Sequence, residues 1–228
     1  MTEGSRPVVL VAARNEADRI GATIAALSDA FPGARIVVGD DASEDGTAEV
    51  AMRAGAQVVS RGRPHGKGAN MTAAAEAALS EEPAPSVFLL CDGDLGASAA
   101  QLRDLVEAVE RGDCDLAVAA FSRRLGGGFG ITLGFARRAI RRRTGVETTA
   151  PLSGQRAMRA ATLRDLLPFA RGYGMEVGMT IDAVRAGYRL RECELDLEHR
   201  ATGRSPAGFV HRARQLLDFA RAYRARRG

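Results

Sequence analysis

The 228-residue chain carries 32 basic against 28 acidic side chains, a net charge of +4, and is 46% apolar with 26 glycines and no tryptophan. An apolar fraction of that size excludes wholesale disorder and is enough to bury one sizeable core. The longest apolar runs, around Val8 to Ala13 and Val87 to Cys91, fall far short of the roughly 20 residues of a membrane span. Residues Met1 to Pro7 lack the basic-then-apolar pattern of a signal peptide, so the expected compartment is the cytoplasm.

Cys91, Cys114 and Cys193 are odd in number and widely spaced, which argues against a disulfide framework and a structural zinc site and makes them small buried residues. All but one of the 32 basic residues are arginines; the exception is Lys67. Its ammonium is a compact point charge where an arginine would present a planar fork.

From Pro7 to Phe121, β-rich runs alternate with alanine-rich amphipathic segments, the pattern of a parallel sheet flanked by helices. Five strands are predicted: Val8–Ala12, Arg35–Gly39, Gln57–Ser60, Val87–Cys91 and Leu116–Phe121. The intervening helices are Glu16 to Ala30, Thr47 to Ala54, Lys67 to Leu79 and Ser98 to Arg111, with breakers such as Pro32-Gly33, Gly55 and Pro83-Ala84-Pro85 between them. The glycine cluster Gly126 to Gly130 then predicts a loop. After it come a basic amphipathic helix at Ile131 to Arg143, helices near Thr162 to Leu167 and Met175 to Ala186, a strand at Arg189 to Leu197, and a terminal helix from Pro206. The whole reads as one α/β domain, residues 1–121 forming a Rossmann-like half and 122–228 a second half.

Polar sets stand at four predicted strand ends, the edge at which open α/β sheets bind ligands. The first is Ala12-Ala13-Arg14-Asn15-Glu16, although Asn15 alone could serve as a helix cap. The second, Asp40-Asp41-Ala42-Ser43-Glu44-Asp45-Gly46, imitates a calcium loop but has Met52 where a bidentate Glu is required, which excludes calcium. The third, Gly62 to Gly68, is a near miss to the P-loop: one residue short, with Gly68 in place of the magnesium-binding Ser or Thr. Exposed amides, a helix N-terminus and Lys67 there still favour an anion. No G-x-G-x-x-G follows the first strand, so NAD is not expected. The fourth, Asp92-Gly93-Asp94, is either an ordinary turn or a pair of carboxylates sharing one hard cation, Mg²⁺ or Mn²⁺, with diphosphate oxygens.

Taken in order, these elements resemble the A-type-fold glycosyltransferases, family 2 in particular, over about the first 120 residues. The resemblance implies a GT-A fold with a mostly parallel sheet. It implies a donor nucleotide held by Ala12, Ala13, Arg14, Asn15, Glu16, Asp40, Asp41, Lys67, Asp92 and Gly93, and a divalent cation held by the D-x-D carboxylates. Arg14 departs from the aromatic residue common at its place. Further on, Pro151-Leu152-Ser153-Gly154-Gln155-Arg156, Gly172-Tyr173-Gly174-Met175-Glu176 and Glu198-His199-Arg200 are similar to the glucosyl-3-phosphoglycerate synthases. That likeness implies a UDP-sugar donor, metal ligation by Asp92, Asp94 and His199, and acceptor contacts at Gly154, Gln155, Glu176 and Arg200. Gln155 stands where that family has an acid. Residues Arg200 to Ser205 share a pattern with the polyprenyl-phosphate sugar transferases of family 2.

The reading that follows is a metal-dependent transfer of a hexose from a nucleoside diphosphate, UDP favoured, to an acceptor hydroxyl, with Asp94 and Glu176 as catalytic residues. Phosphorylated and lipid-phosphate acceptors are both compatible with it, as are a homodimer and peripheral contact with the inner face of an anionic membrane. The rivals are a sugar-nucleotide nucleotidyltransferase, whose Gly- and Arg-rich first loop is missing, and a non-catalytic nucleotide-sugar-binding protein. Nucleic acid is not expected despite a pI of about 9.4, because aromatics are few. The cluster Arg137, Arg138, Arg141, Arg142 and Arg143 is either a site for an acidic partner or a solvated face paired to Glu107 or Glu110.

Overall fold

The computed structural model describes residues 6–80, 86–121, 130–197 and 225. The loop expected at Gly126 to Gly130, the breaker at Pro83 to Pro85, the terminal helix and residues His199 and Arg200 lie outside that set, apart from Gly130, which opens a helix.

The strands are β1 (Val8–Ala13), β2 (Arg35–Asp40), β3 (Gln57–Ser60), β4 (Val87–Asp92), β5 (Leu116–Phe121), β6 (Arg156–Arg159) and β7 (Leu190–Leu195). The helices are α1 (Ile20–Ala30), α2 (Thr47–Arg53), α3 (Lys67–Leu79), α4 (Arg103–Glu110), α5 (Gly130–Thr144), α6 (Ala160–Leu166) and α7 (Met175–Arg185). One seven-stranded sheet results, ordered β3-β2-β1-β4-β6-β5-β7, with only β6 antiparallel to its neighbours. Successive strand residues point to opposite faces, so Val9 and Val11 join one core with Ile24, Leu27 and Leu105, while Val8 and Leu10 join another with Met71, Leu163 and Met179. Helices on both faces explain why the central strands are continuously apolar.

Three expectations are corrected. The five parallel strands are not contiguous: β6 slots between β4 and β5, pairing Leu90 and Val118 with Arg156. Sequence reading missed β6 because Arg-Ala-Met-Arg has charges at both ends and no β-branched residue. The first helix begins at Ile20 rather than Glu16; the backbone N–H groups of Glu16 and Ala17 donate to Thr47 Oγ1 (2.9 Å) and Asp45 Oδ2 (3.1 Å), tying this segment to the loop after β2. The predicted helix at Ser98 to Arg111 is a 3₁₀ segment, Gly96–Leu102, followed by α4.

Strand register fixes the working edge. Ala13 sits beside Asp40, Asp40 beside Ser60 and Ala12 beside Asp92. Because β6 runs the other way, its entry segment Ser153-Gly154-Gln155 arrives at the edge where β4 ends.

Candidate active site

The D-x-D turn is tied down by its backbone. Gly93 N–H donates to the Ala12 carbonyl (2.9 Å), Thr23 Oγ1 of α1 donates to the Gly93 carbonyl (2.8 Å) and accepts from Gly96 N–H (2.9 Å), and Arg19 donates to the Asp94 carbonyl (2.9 Å). A Cβ at Gly93 would stand 2.9 Å from Ile20 Cδ1 and 3.3 Å from the Ala12 carbonyl oxygen, so the turn packs closely on α1 and β1. With the backbone secured from within, the side chains of Asp92 and Asp94 are half-exposed at the sheet edge.

Asp92 is the centre of the polar cluster. Lys67 Nζ lies 2.6 Å from Asp92 Oδ1 and 2.9 Å from Glu176 Oε1, while Gln155 Nε2 donates to Asp92 Oδ2 at 2.8 Å. One ammonium therefore joins the end of β4 to the start of α7, where the buried Glu176 also faces the positive end of its helix. Burial by itself would push the Lys67 ammonium towards neutrality; Asp92 and Glu176 outweigh it and raise its pKa. Gly154 passes so close that a Cβ there would fall 2.5 Å from Lys67 Nζ and 2.9 Å from Asp92 Oδ2.

Lys67 is aimed by its own loop. Asp41 is buried and accepts from His65 N–H (2.7 Å), Gly66 N–H (3.1 Å) and the Asn70 amide, with Arg14 Nη1 3.6 Å away. Gly66 holds a φ of +84°, which favours glycine, and Gly68 passes so near the backbone at Ala170 that a Cβ would meet its carbonyl oxygen at 1.9 Å. Asp40 is buried too, accepting from Ser43 N–H (3.2 Å) and Ser60 Oγ (3.1 Å). Asn15 adopts a φ of +54°, and its amide oxygen accepts from Glu44 N–H at 3.0 Å while its own N–H donates to Ser43 Oγ. It is a staple between two edge loops; the α1 cap is Arg19.

The site residues expected from sequence thus divide. Lys67, Asp92, Gly154, Gln155 and Glu176 converge. Ala12, Ala13, Arg14, Asn15, Glu16, Asp40, Asp41 and Gly93 build the edge around them, the Asp40 and Asp41 carboxylates being engaged by the chain's own donors. Gln155 is buried beside Asp92, with Ser153 Oγ donating to its amide oxygen at 3.0 Å. Cys91 is buried in the core as expected, and burial pushes its thiol pKa up.

Sequence reading missed three supports, Thr23, Asn70 and Glu192, and named Arg156 only within a motif, without a role. Arg156 is fully buried, its Nε donating to the Ser153 carbonyl and Nη1 to Thr180 Oγ1, both at 2.9 Å. Burial pushes its pKa down to about 10 against the pull of Glu176 and Glu192. Glu192 on β7 accepts from Thr148 Oγ1, from Thr149 N–H (2.9 Å) and from Ala150 N–H (3.0 Å), anchoring the chain just before Ser153. No local signal marks Glu192, since its partners lie 42 to 44 positions away.

Among the described residues no three His, Cys, Asp or Glu side chains gather as a cation cage. The donor set still suits a hard cation, because Mg²⁺ and Mn²⁺ take carboxylate oxygens and complete their shells with substrate phosphates.

A mostly parallel sheet with helices on both faces, and a D-x-D turn at its carboxyl edge opposite a lysine, define a glycosyltransferase of the GT-A class. The family model "Glycosyl transferase family 2" matches residues 8–167, and the chain belongs to that family. Undecaprenyl-phosphate mannosyltransferase of Micrococcus luteus is 32% identical over 216 residues, 88% of this chain and 86% of the relative. Glucosyl-3-phosphoglycerate synthase of Mycobacterium tuberculosis with phosphoglyceric acid superposes with a TM-score of 0.80 at 25% identity, covering 98% of this chain and 80% of that one. The same synthase with Mn²⁺, UDP-glucose and phosphoglyceric acid gives 0.76 at 26% identity, covering 96% and 80%. The chain is accordingly a transferase enzyme, which sets aside the nucleotidyltransferase and the inert binding protein.

Proposed function

We propose that this enzyme moves a hexosyl group from UDP to an acceptor bearing a phosphate group. The observation that carries the reading is the Lys67 bridge between Asp92 and Glu176, which sets a cation and two carboxylates at the carboxyl edge of the sheet. In the reaction the bond from the anomeric carbon to the diphosphate breaks, and a bond to the acceptor oxygen forms. Negative charge grows on the leaving diphosphate, and the Lys67 ammonium, with the Lys67 and Gly68 N–H groups at the start of α3, supplies positive potential to it. Asp92 and Asp94, with His199 beyond the described residues, would hold the divalent cation, which when bound neutralises that same charge. Where the attacking atom is an acceptor hydroxyl, Glu176 accepts its hydrogen bond and the proton released passes to Glu176 or to the departing diphosphate; a phosphate oxygen attacks without that step.

Support for UDP and a metal comes from the synthase complex with Mn²⁺ and UDP-glucose. Support for a phosphate-bearing acceptor comes from both relatives, one with phosphoglyceric acid and the other named for a lipid phosphate. The test is a thermal-shift panel of UDP-, GDP- and TDP-sugars with and without Mn²⁺, followed by transfer assays with 3-phosphoglycerate and with a polyprenyl phosphate. Stabilisation by UDP-sugars and transfer to one of these acceptors is the expected result. Stabilisation by another nucleotide alone would overturn the donor, and UDP-sugar binding without transfer to either acceptor would overturn the acceptor class.

A further inference from the structure

The basic helix α5 has two unlike faces. Ala136, Ala139 and Ile140 pack against Val177 and Ile181 of α7, whereas Phe135 on the same helix is 36% exposed. On the outer side Arg137, Arg138, Arg141 and Arg142 line a cleft of about 740 Å³ with Glu147 and Thr148. Two of these cations are engaged: Arg137 donates to the Thr149 carbonyl (2.8 Å), and Arg141 pairs with Glu147 (3.2 Å). Arg138 and Arg142 have no partner among the described residues. The pairing expected with Glu107 is absent there, because Glu107 pairs with Arg111 on its own helix.

Phe135, Arg138 and Arg142 are spaced i, i+3 and i+7, so an exposed aromatic ring and two unpaired guanidiniums form one strip. The Arg142 end of the strip lies away from the transfer chemistry, whereas its Phe135 end runs alongside the first turns of α7. Arg143, next to it, accepts through its carbonyl from Arg185 at the last residue of α7, whereas Glu176 stands at the start of α7, about 14 Å away along the helix.

We propose that this face of α5 docks the enzyme on the phosphate headgroups of an anionic lipid bilayer. Charge complementarity draws the guanidiniums to the headgroups, and the ring enters the boundary with the acyl chains; cations flanking an exposed aromatic are the features of an interfacial helix. Soluble anions would use the charges but give no reason for the exposed ring.

The experiment is co-sedimentation of the full chain with phosphatidylcholine vesicles and with vesicles containing phosphatidylglycerol, at low and high salt, comparing wild type, Arg138→Gln/Arg142→Gln and Phe135→Ser. Wild type is expected to sediment only with the anionic vesicles and to be released by salt. The double variant should bind about thirtyfold more weakly, from two charges near the surface, and Phe135→Ser several-fold more weakly. Equal sedimentation of wild type and double variant would overturn the proposal, as would failure of wild type to bind. So would stabilisation of wild type by inorganic phosphate, lost in the double variant, without vesicle binding. The readout is independent of transfer, so this proposal and the proposed reaction fail separately.

Discussion

Lys67 Nζ and Asp92 Oδ1 are 2.6 Å apart, and the same ammonium reaches Glu176 at 2.9 Å. Without it, two carboxylates would share one partly buried space. Lys67→Met should therefore destabilise the fold by about 1–3 kcal/mol, less than breaking a fully buried pair costs because water still reaches the site. Lys67→Arg should keep more of the stability but lose activity, since a planar fork cannot take an ammonium's place between two carboxylates and the Gly154 backbone. Thermal melts and donor kinetics on both variants check this. Wild-type behaviour of both would show that the bridge is dispensable.

Gly154→Ala should lower kcat/KM by about a hundredfold while the protein still folds. The added methyl lands on Lys67 Nζ and Asp92 Oδ2, which are ends of side chains and can give way, so the damage falls on the alignment of the site. A steady-state assay beside a thermal melt separates the two effects.

Two glycine substitutions should move stability in opposite directions. Gly68→Ala places a Cβ 1.9 Å from the Ala170 carbonyl oxygen, a backbone atom, and should lower the melting temperature. Gly134→Ala, exposed on α5 with nothing within 4 Å, should add roughly 0.5–1 kcal/mol. Denaturant titration of the pair tests the packing of α3 against the segment before α7.

Glu192 ties stability to pH. Burial raises its pKa, but the combined hydrogen bonds from Thr148, Thr149 and Ala150 outweigh that and leave it below the ordinary carboxylate value. A carboxylate so depressed contributes stability that is present above its unfolded pKa, about 4.3, and lost as pH falls through the lower folded value. Glu192→Gln should be less stable at neutral pH and should lose less stability on acidification than wild type. Parallel acid-denaturation curves would contradict the assignment.

Asp94→Ala should abolish transfer and the Mn²⁺ dependence of donor binding while changing the melting temperature little, because its half-exposed side chain lies at the sheet edge rather than in the core. Retained turnover in purified Asp94→Ala protein would remove this residue from the proposed cation site.

Much of this enzyme was legible in one dimension. Alternation of β-rich runs with amphipathic segments located β1 to β5 and their helices to within a few residues, because strand and helix periods are local properties of the chain. Motifs at strand ends were equally readable: a parallel sheet sends every such end to one edge, so Asn15, Asp40, Lys67 and Asp92 could be assigned to a common edge without knowing the strand order.

Tertiary structure alone decided how that site is assembled. Placement of β6 between β4 and β5 brings Gly154 and Gln155 to Asp92, and nothing in Arg-Ala-Met-Arg announces it. Burial of Arg156, the anchoring of the 148–150 segment by Glu192 and the pinning of the D-x-D turn by Thr23 depend on partners 24 to 70 residues apart. The exposure of Phe135 was likewise settled by which side of α5 met α7. Local patterning encodes elements and the chemistry at their ends; which buried polar groups satisfy one another is decided only when distant segments pack, because each must find a partner there or bear the cost of leaving water alone.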